Sequence, residues 1–201
     1  MERRDDHRMF SGIVETTSTV LAVEDFSGRQ SAVIRKPRGW RLREGESVCV
    51  EGVCSTVQTV KPAAFQVIYM PETLRRSTLA DLRCGNFVNL ERSLALRSLI
   101  GGHLVQGHVD AVARVVKTRK DGAAMMYEFA VPRRILRYIV EKGSVAIDGI
   151  SLTVARALRD GFTVSLLEYT LSHTTLGEKG RGSRVNIEVD IIAKYVEKLL
   201  V

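Results

Sequence analysis

Short runs of apolar residues recur about every ten positions, and within them the apolar side chains tend to sit two apart: Val48/Val50, Phe65/Val67, Val88/Leu90. Period two is the signature of a strand with one buried face. The runs are punctuated by turn signals at Glu51-Gly52, Lys120-Asp121-Gly122, Asp148-Gly149 and Asp160-Gly161. This spacing predicts an all-β sandwich or small barrel rather than alternating βαβ units. Three segments break the pattern. Residues 132–143 carry Pro at the first turn, the pairs Ile135/Ile139 and Leu136/Val140 and a closing Gly, which predicts a helix. Residues 93–102, opening on Ser93 and ending at Gly101-Gly102, predict a second. Residues 190–201 predict a third, capped by Asp190, with Ile191, Tyr195 and Leu199 beside Ile192 and Val196. At about three turns the tail helix is not stable alone. Its stripe must pack either on its own barrel or on the tails of other subunits.

The pattern is written twice. GESVCVEGVCSTV at 45–57 returns as KGSVAIDGISLTV at 142–154, ETLRRSTL at 72–79 as YTLSHTTL at 169–176, and GNFVNLE at 85–91 as GSRVNIE at 182–188. All share an offset of 97, with 15 identities in 47 ungapped positions across 45–91. Upstream, SGIVETTSTV at 11–20 matches QGHVDAVARV at 106–115 at an offset of 95. A copy of about 95 residues suffices for one barrel with its own core, so two tandem barrels are expected.

Composition adds limits. The chain has 201 residues, 45% hydrophobic and 26% charged, within the range of ordinary globular proteins. No apolar run approaches the ~18 residues of a membrane helix. The opening MERRDDHR leads into no signal core, and three cysteines without a CxxC fit free thiols in a reducing cytoplasm. The net charge of +7 is densest at 35–43, where Arg35, Lys36, Arg38, Arg41 and Arg43 surround Trp40. Alone, that cluster would suit nucleic acid on a β-barrel. As the counterpart of residues 132–143 it is instead expected to cap a barrel end with a solvated face.

Titratable groups are scarce in the repeated blocks. His103 and His108 are five apart, which along a strand would put them on opposite faces, so a metal site is not expected and each reads as a structural or turn histidine. More telling are the equivalent pairs Cys54/Thr56 and Ser151/Thr153, each on one strand face, with Ser47 and Ser144 upstream. A small thiol or hydroxyl beside a Thr can line a concave site for a flat polar heterocycle. The bland reading makes Cys54 a small buried residue and the Thr a strand former.

MFSGIVE at 9–15, GESVCVEGVCSTV, MPETL at 70–74, VNLER at 88–92, GGHLVQGHVD at 101–110, EKGSVAIDGISLTV at 141–154, TTLG at 174–177 and VNIEVD at 185–190 together resemble the riboflavin synthase family. The resemblance runs in order from Met9 to the C-terminus. It implies two tandem six-stranded Greek-key β-barrels with short helices: barrel 1 at 9–102, barrel 2 at 103–189, a trimerisation helix at 190–201, and an extension at 1–8. It further implies a cytoplasmic homotrimeric transferase that dismutates 6,7-dimethyl-8-ribityllumazine without cofactor or metal, and it brings association with lumazine synthase into consideration. Matched by motif, one pocket takes Gly12, Ile13, Val14, Cys54, Ser55, Thr56, Ile68, Tyr69, Met70, Pro71, Glu72 and Thr73. The other takes Gly107, His108, Val109, Lys142, Ser151, Leu152, Thr153, Ser165, Leu166, Leu167, Glu168, Tyr169 and Thr170. Phe10, Ser47, Cys54 and His108 are the residues the resemblance ties to catalysis. Cys54 and Ser47 would polarise or relay a proton at the reacting carbon, Cys54 could instead add to the ring, and His108 would exchange a proton near neutrality. The chain departs from the family at Ser11, at Glu51 (usually Asn), at Ser55, and at 167–170, where a Pro-containing stretch is usual. A non-catalytic lumazine- or flavin-binding protein of the same fold is the rival reading.

Overall fold

The computed structural model describes residues 9–200; the extension assigned to residues 1–8 and the final Val201 lie outside the described residues. Strands β1 (Thr16–Phe26), β2 (Arg29–Arg35), β3 (Ser47–Val50), β4 (Val53–Val60), β5 (Ala64–Tyr69) and β6 (Phe87–Arg92) close one antiparallel barrel in the order β1-β2-β5-β4-β3-β6. Strands β7 (Ala111–Asp121), β8 (Ala124–Ala130), β9 (Ser144–Ile147), β10 (Ile150–Ala157), β11 (Gly161–Leu167) and β12 (Arg184–Val189) repeat that order in a second barrel. Closure is assisted by bulges at equivalent places, Val20/Ala22 and Val57/Thr59 in the first barrel, Val115/Lys117 and Val154/Arg156 in the second. A bulge adds one residue to one strand and sharpens the local twist, which lets six short strands curl shut.

Each barrel has its own core. Ile34, Val48, Phe65, Val67 and Leu90 fill the first, and Phe129, Ile147, Phe162, Val164 and Ile187 the second, all nearly or wholly buried. Each such side chain contributes about 1.5–3 kcal/mol of transfer free energy. Trp40 closes an end of the first core with the Arg92 guanidinium 5.0 Å above its ring. Around it Arg35, Arg38, Arg41 and Arg43 are exposed, as a solvated barrel end requires.

The helices are distributed differently from the sequence expectation. Of residues 132–143 only Arg133–Leu136 (α2) is helical, because Ile135 and Ile139 are both drawn into the barrel by 3₁₀-type turns and Lys142 takes φ +67°. Residues 93–102 form no helix. Leu96 and Leu99 are over 90% exposed, leaving a helix there nothing to pack on, and the Ser93 hydroxyl donates to the Ser47 carbonyl rather than capping a turn. The pattern did not reveal α1 (Pro71–Arg76) and α3 (Glu168–His173), which occupy the repeated 72–79 and 169–176 blocks. They are the same element built twice: the residues before them, Met70 and Leu167, have φ/ψ of −81/157° and −83/158°. The missing proline at 168 therefore leaves the backbone entering the helix as it is in the first copy.

The tail helix α4 (Ile191–Leu200) starts where expected, with the Ile192 N–H donating to the Asp190 carboxylate at 2.9 Å. Its polar face holds the second barrel: Lys194 pairs with Asp110 at 2.7 Å, and Glu197 with Arg137 at 2.7 Å. Ile192, Tyr195, Val196, Leu199 and Leu200 face outward and are exposed. The apolar stripe is not spent on its own barrel.

Candidate active site

The site grows from the β3–β4 and β9–β10 hairpins. Each turns through two residues with positive φ, Glu51-Gly52 and Asp148-Gly149, as a type I′ hairpin demands. Beyond the turn the pleat alternates. Ser55 and Val57 point into the barrel while Cys54 and Thr56 face out, and Ser151 and Thr153 face out from β10. The predicted sharing of a face by each pair is what the strands show.

The two barrels meet across a pseudo-twofold axis, and the main backbone and asparagine bonds across it come in mated pairs. Phe10 and Val105 exchange backbone hydrogen bonds of 2.7 and 3.0 Å. The Cys54 N–H donates to the Gly107 carbonyl at 2.8 Å, and the Ser151 N–H to the Gly12 carbonyl at 2.7 Å. The Thr78 N–H donates to the Asn186 side chain, and the Thr175 N–H to the Asn89 side chain. The pocket loops are therefore exchanged: 12–14 lies against barrel 2 and Ser151, and 107–109 against barrel 1 and Cys54. Val14 packs on the second core and Val109 on the first. This crosswise grouping replaces the copy-by-copy one read from the sequence. Gly12 and Gly107 both adopt φ +75°, and a Cβ at either would lie within 2.9 Å of the facing backbone nitrogen, so only glycine fits.

Buried carboxylates, which the scarcity of titratable pairs in the sequence concealed, hold these loops. Glu91 accepts from the N–H groups of Ser11 and Gly12 and from the Ser11 hydroxyl. Glu188 accepts from the N–H groups of Gln106, Gly107 and His108 at 2.7–3.0 Å. Burial pushes the Glu188 carboxyl up to about 7, against the pull of those donors, and raises Glu91 in the same sense. The legible signal was the repeated VNLE/VNIE block, where an acid interrupts an apolar strand.

On the axis itself Glu51 and Asp148 come together with Lys179. The ammonium lies 3.5 Å from Glu51 Oε1 and 3.7 Å from Asp148 Oδ2. Glu51 also takes the Thr175 hydroxyl at 2.9 Å and the Asn89 N–H at 2.8 Å. Desolvation raises both carboxyls, and Lys179 opposes it. In the first copy the position of Lys179 is Leu82, so one cation serves two acids.

Around Cys54 the structure gathers Phe10, Cys49, Val105 and Ala146. Phe10 is wholly buried in the cluster against which Cys54 packs, so its ring does not open to solvent. Ser47 is buried one strand away, opposite Thr56, and His108 is exposed beside the Gly107–Cys54 bond. Ile13, Met70, Leu167 and Tyr169 are 48–72% exposed along the same rims, with Tyr169 stacked on His173. Thr56, Thr153, Ser165, Glu168 and Lys142 are also exposed, and Glu72 is held by Arg75 and Arg76. Ile68, Pro71, Thr73, Leu152 and Thr170 are half-buried. The side chains of Ser55, Tyr69 and Leu166 are inside the barrels, Ser55 donating to the Val53 carbonyl at 2.9 Å and paired with the Tyr69 hydroxyl at 3.3 Å. Those three can offer a ligand only backbone. His103, read from the sequence as a structural histidine, has its Nδ1 2.7 Å from the Ser151 hydroxyl.

The duplicated arrangement has counterparts among known proteins. The lumazine binding domain matches twice, at residues 11–93 and 106–190. Riboflavin synthase of Mycobacterium tuberculosis H37Rv is 46% identical over 96% of this chain and 98% of its own length. The Bacillus subtilis and Schizosaccharomyces pombe riboflavin synthases are 37% and 39% identical over 96% of this chain, covering 90% and 94% of theirs. Among solved structures, LumP complexed with riboflavin superimposes with a TM-score of 0.83 over 90% of this chain and 98% of that one, at 23% identity. That likeness establishes the fold. With both barrels matched and relatives aligned over nearly their whole length, the chain belongs to the riboflavin synthase family.

Proposed function

We propose that the chain catalyses the dismutation of two 6,7-dimethyl-8-ribityllumazine molecules, one donating a four-carbon unit to the other, to give riboflavin and 5-amino-6-ribitylaminouracil. The observation that carries it is the paired set of hydrogen bonds locking equivalent pocket strands, Cys54 to Gly107 and Ser151 to Gly12, on one rigid frame. A reaction between two copies of one substrate needs two similar pockets more than it needs strong acids. The products together contain all the atoms of the two substrates, so the balance requires no oxidant or reductant. The 7-methyl protons are acidic because the anion delocalises into the ring. The chain's work is to hold two rings in register and place polar groups where charge develops.

The pockets differ where donor and acceptor roles would: Cys54 against Ser151, and Ile13 against His108. Cys54 and His108 border the first pocket, and Phe10 belongs to the buried cluster against which Cys54 packs. Replacing Cys54 with Ala is expected to lower kcat/KM by about tenfold, the loss of one well-placed donor. Unchanged turnover in Cys54→Ser would remove any role special to the thiol.

Among the described residues much of both pocket rims is exposed, and the outward stripe of α4 is uncovered. Both are met if the chain is a homotrimer, with barrel 1 of one subunit facing barrel 2 of the next and the tails packed together. The double variant Ile192→Asp/Val196→Asp should then sediment as a monomer and lose most of its turnover while keeping its Tm within a few degrees. A trimer in that variant would refute the tail's role. Cytoplasmic residence and association with lumazine synthase belong to the same family-based reading, and co-migration of the two enzymes on a sizing column tests the latter. Incubation with the lumazine separates the enzyme from a binding protein of this fold: the first yields growing riboflavin absorbance, the second bound and unchanged lumazine.

A further inference from the structure

We infer that His103 is a positioning residue that fixes the Ser151 hydroxyl as a hydrogen-bond donor to the ligand of the second pocket. His103 sits in the irregular segment between the barrels, where its N–H donates to the Ser11 carbonyl at 3.1 Å. Its approach to Ser151 is enforced by the preceding residue. A Cβ at Gly102 would fall 2.3 Å from the Ser11 carbonyl oxygen and 2.6 Å from Ser151 Cβ, so the backbone lies flush on the serine. The Nδ1–Oγ separation is 2.7 Å, and Nε2 is buried with no partner among the described residues.

The tautomer follows from that orphan. Were Nδ1 the acceptor, the ring proton would sit on Nε2, a buried N–H with nothing to receive it, which folded proteins seldom tolerate. With the proton on Nδ1, the ring donates to Ser151 Oγ and buries only a lone pair at Nε2. Burial also disfavours the doubly protonated ring. The Ser151 oxygen then accepts from the ring through one lone pair, and its own proton, no longer drawn to the imidazole, is free to turn to the half-exposed side of the residue. A pocket built this way favours a ligand presenting an acceptor, such as a ring nitrogen or carbonyl oxygen, over one presenting an N–H. No equivalent can be read for the first pocket, since the matching position, Arg8, lies outside the described residues.

The inference rests on barrel 2 being a lumazine pocket, and the test separates the two. Asn places an amide near where Nδ1 lies, whereas the longer Gln places it near Nε2. His103→Asn should therefore keep kcat/KM within about threefold of wild type, while His103→Gln and His103→Ala lose about tenfold, the worth of one oriented donor. In the His103→Ala/Ser151→Ala double variant the losses should not add, because the histidine acts only through the hydroxyl. Additive losses, or an Asn variant as poor as the Ala variant, would overturn the inference even with the wild type active. A wild type that makes no riboflavin would defeat the functional reading instead. Independently of turnover and of whether the variants fold, the imidazole nitrogen NMR shifts of the wild type should report the proton on Nδ1, and a proton on Nε2 would overturn the inference.

Discussion

Replacing Lys179 with Met is expected to destabilise the fold by about 2–4 kcal/mol at pH 8, the range for stripping the partner from a buried ion cluster once the partial exposure of the lysine is discounted. For a chain of this length that lowers Tm by roughly 5–12 °C. The reason is the geometry on the axis, where Glu51 and Asp148 face one ammonium within 3.7 Å and Asp148 is fully buried. Without the cation, two like charges share a dry site. Both carboxyls already titrate above their ordinary values, so the stability they contribute is fullest below the usual carboxylate range and is lost as pH rises through their folded values. The variant should thus lose less at pH 5.5 than at pH 8. Adding Glu51→Gln should recover part of the loss, because it removes one of the two like charges while its single oxygen keeps one of the two acceptor roles, to Thr175 or to the Asn89 N–H. Thermal denaturation at the two pH values measures this, and a pH-independent loss would show that Lys179 acts by packing alone.

Glu188→Ala should be the most damaging single change near the site. It leaves the N–H groups of Gln106, Gly107 and His108 without acceptors, for about 3–5 kcal/mol in all. It also frees the loop that seats Gly107 against Cys54, so turnover at a temperature where the variant remains folded should fall by about two orders of magnitude, the penalty for misplacing a reacting pair by an ångström. Glu188→Gln keeps an acceptor and should be milder on both measures. Since the native carboxyl titrates near 7, the wild type should lose stability relative to the Gln variant as pH rises from 6 to 8. Equal turnover in Ala and Gln variants would show that the loop is ordered by something other than its three capped N–H groups.

These acids mark where reading a sequence stops. The duplication, the strand spacing, the shared face of Cys54 and Thr56 and the tail helix were all legible, because each is a matter of local period or of comparing the chain with itself. The helix expected at 93–102 failed because apolar spacing reports what a segment could bury, while Leu96 and Leu99 have no surface to meet, and the one at 132–143 shortened to Arg133–Leu136 because its buried Ile139 is reached by a 3₁₀-type turn. Conversely α1 and α3 are six residues long, too short for a periodicity to register, and were visible only as repeated text. Exchange of the 12–14 and 107–109 loops between barrels depends on the pseudo-twofold axis, which no linear pattern encodes. The same holds for Glu51 and Asp148, which look like ordinary turn residues until the hairpins that carry them meet. His103 lacked any pairing signal, its partner being 48 positions away on β10.

The claim that two equivalent pockets serve one reaction is tested most directly by product stoichiometry. With purified protein and 6,7-dimethyl-8-ribityllumazine alone, no cofactor added, one riboflavin and one 5-amino-6-ribitylaminouracil should appear for every two lumazines consumed. Lumazine that binds and is recovered unchanged, or riboflavin formed in any other ratio, would contradict it.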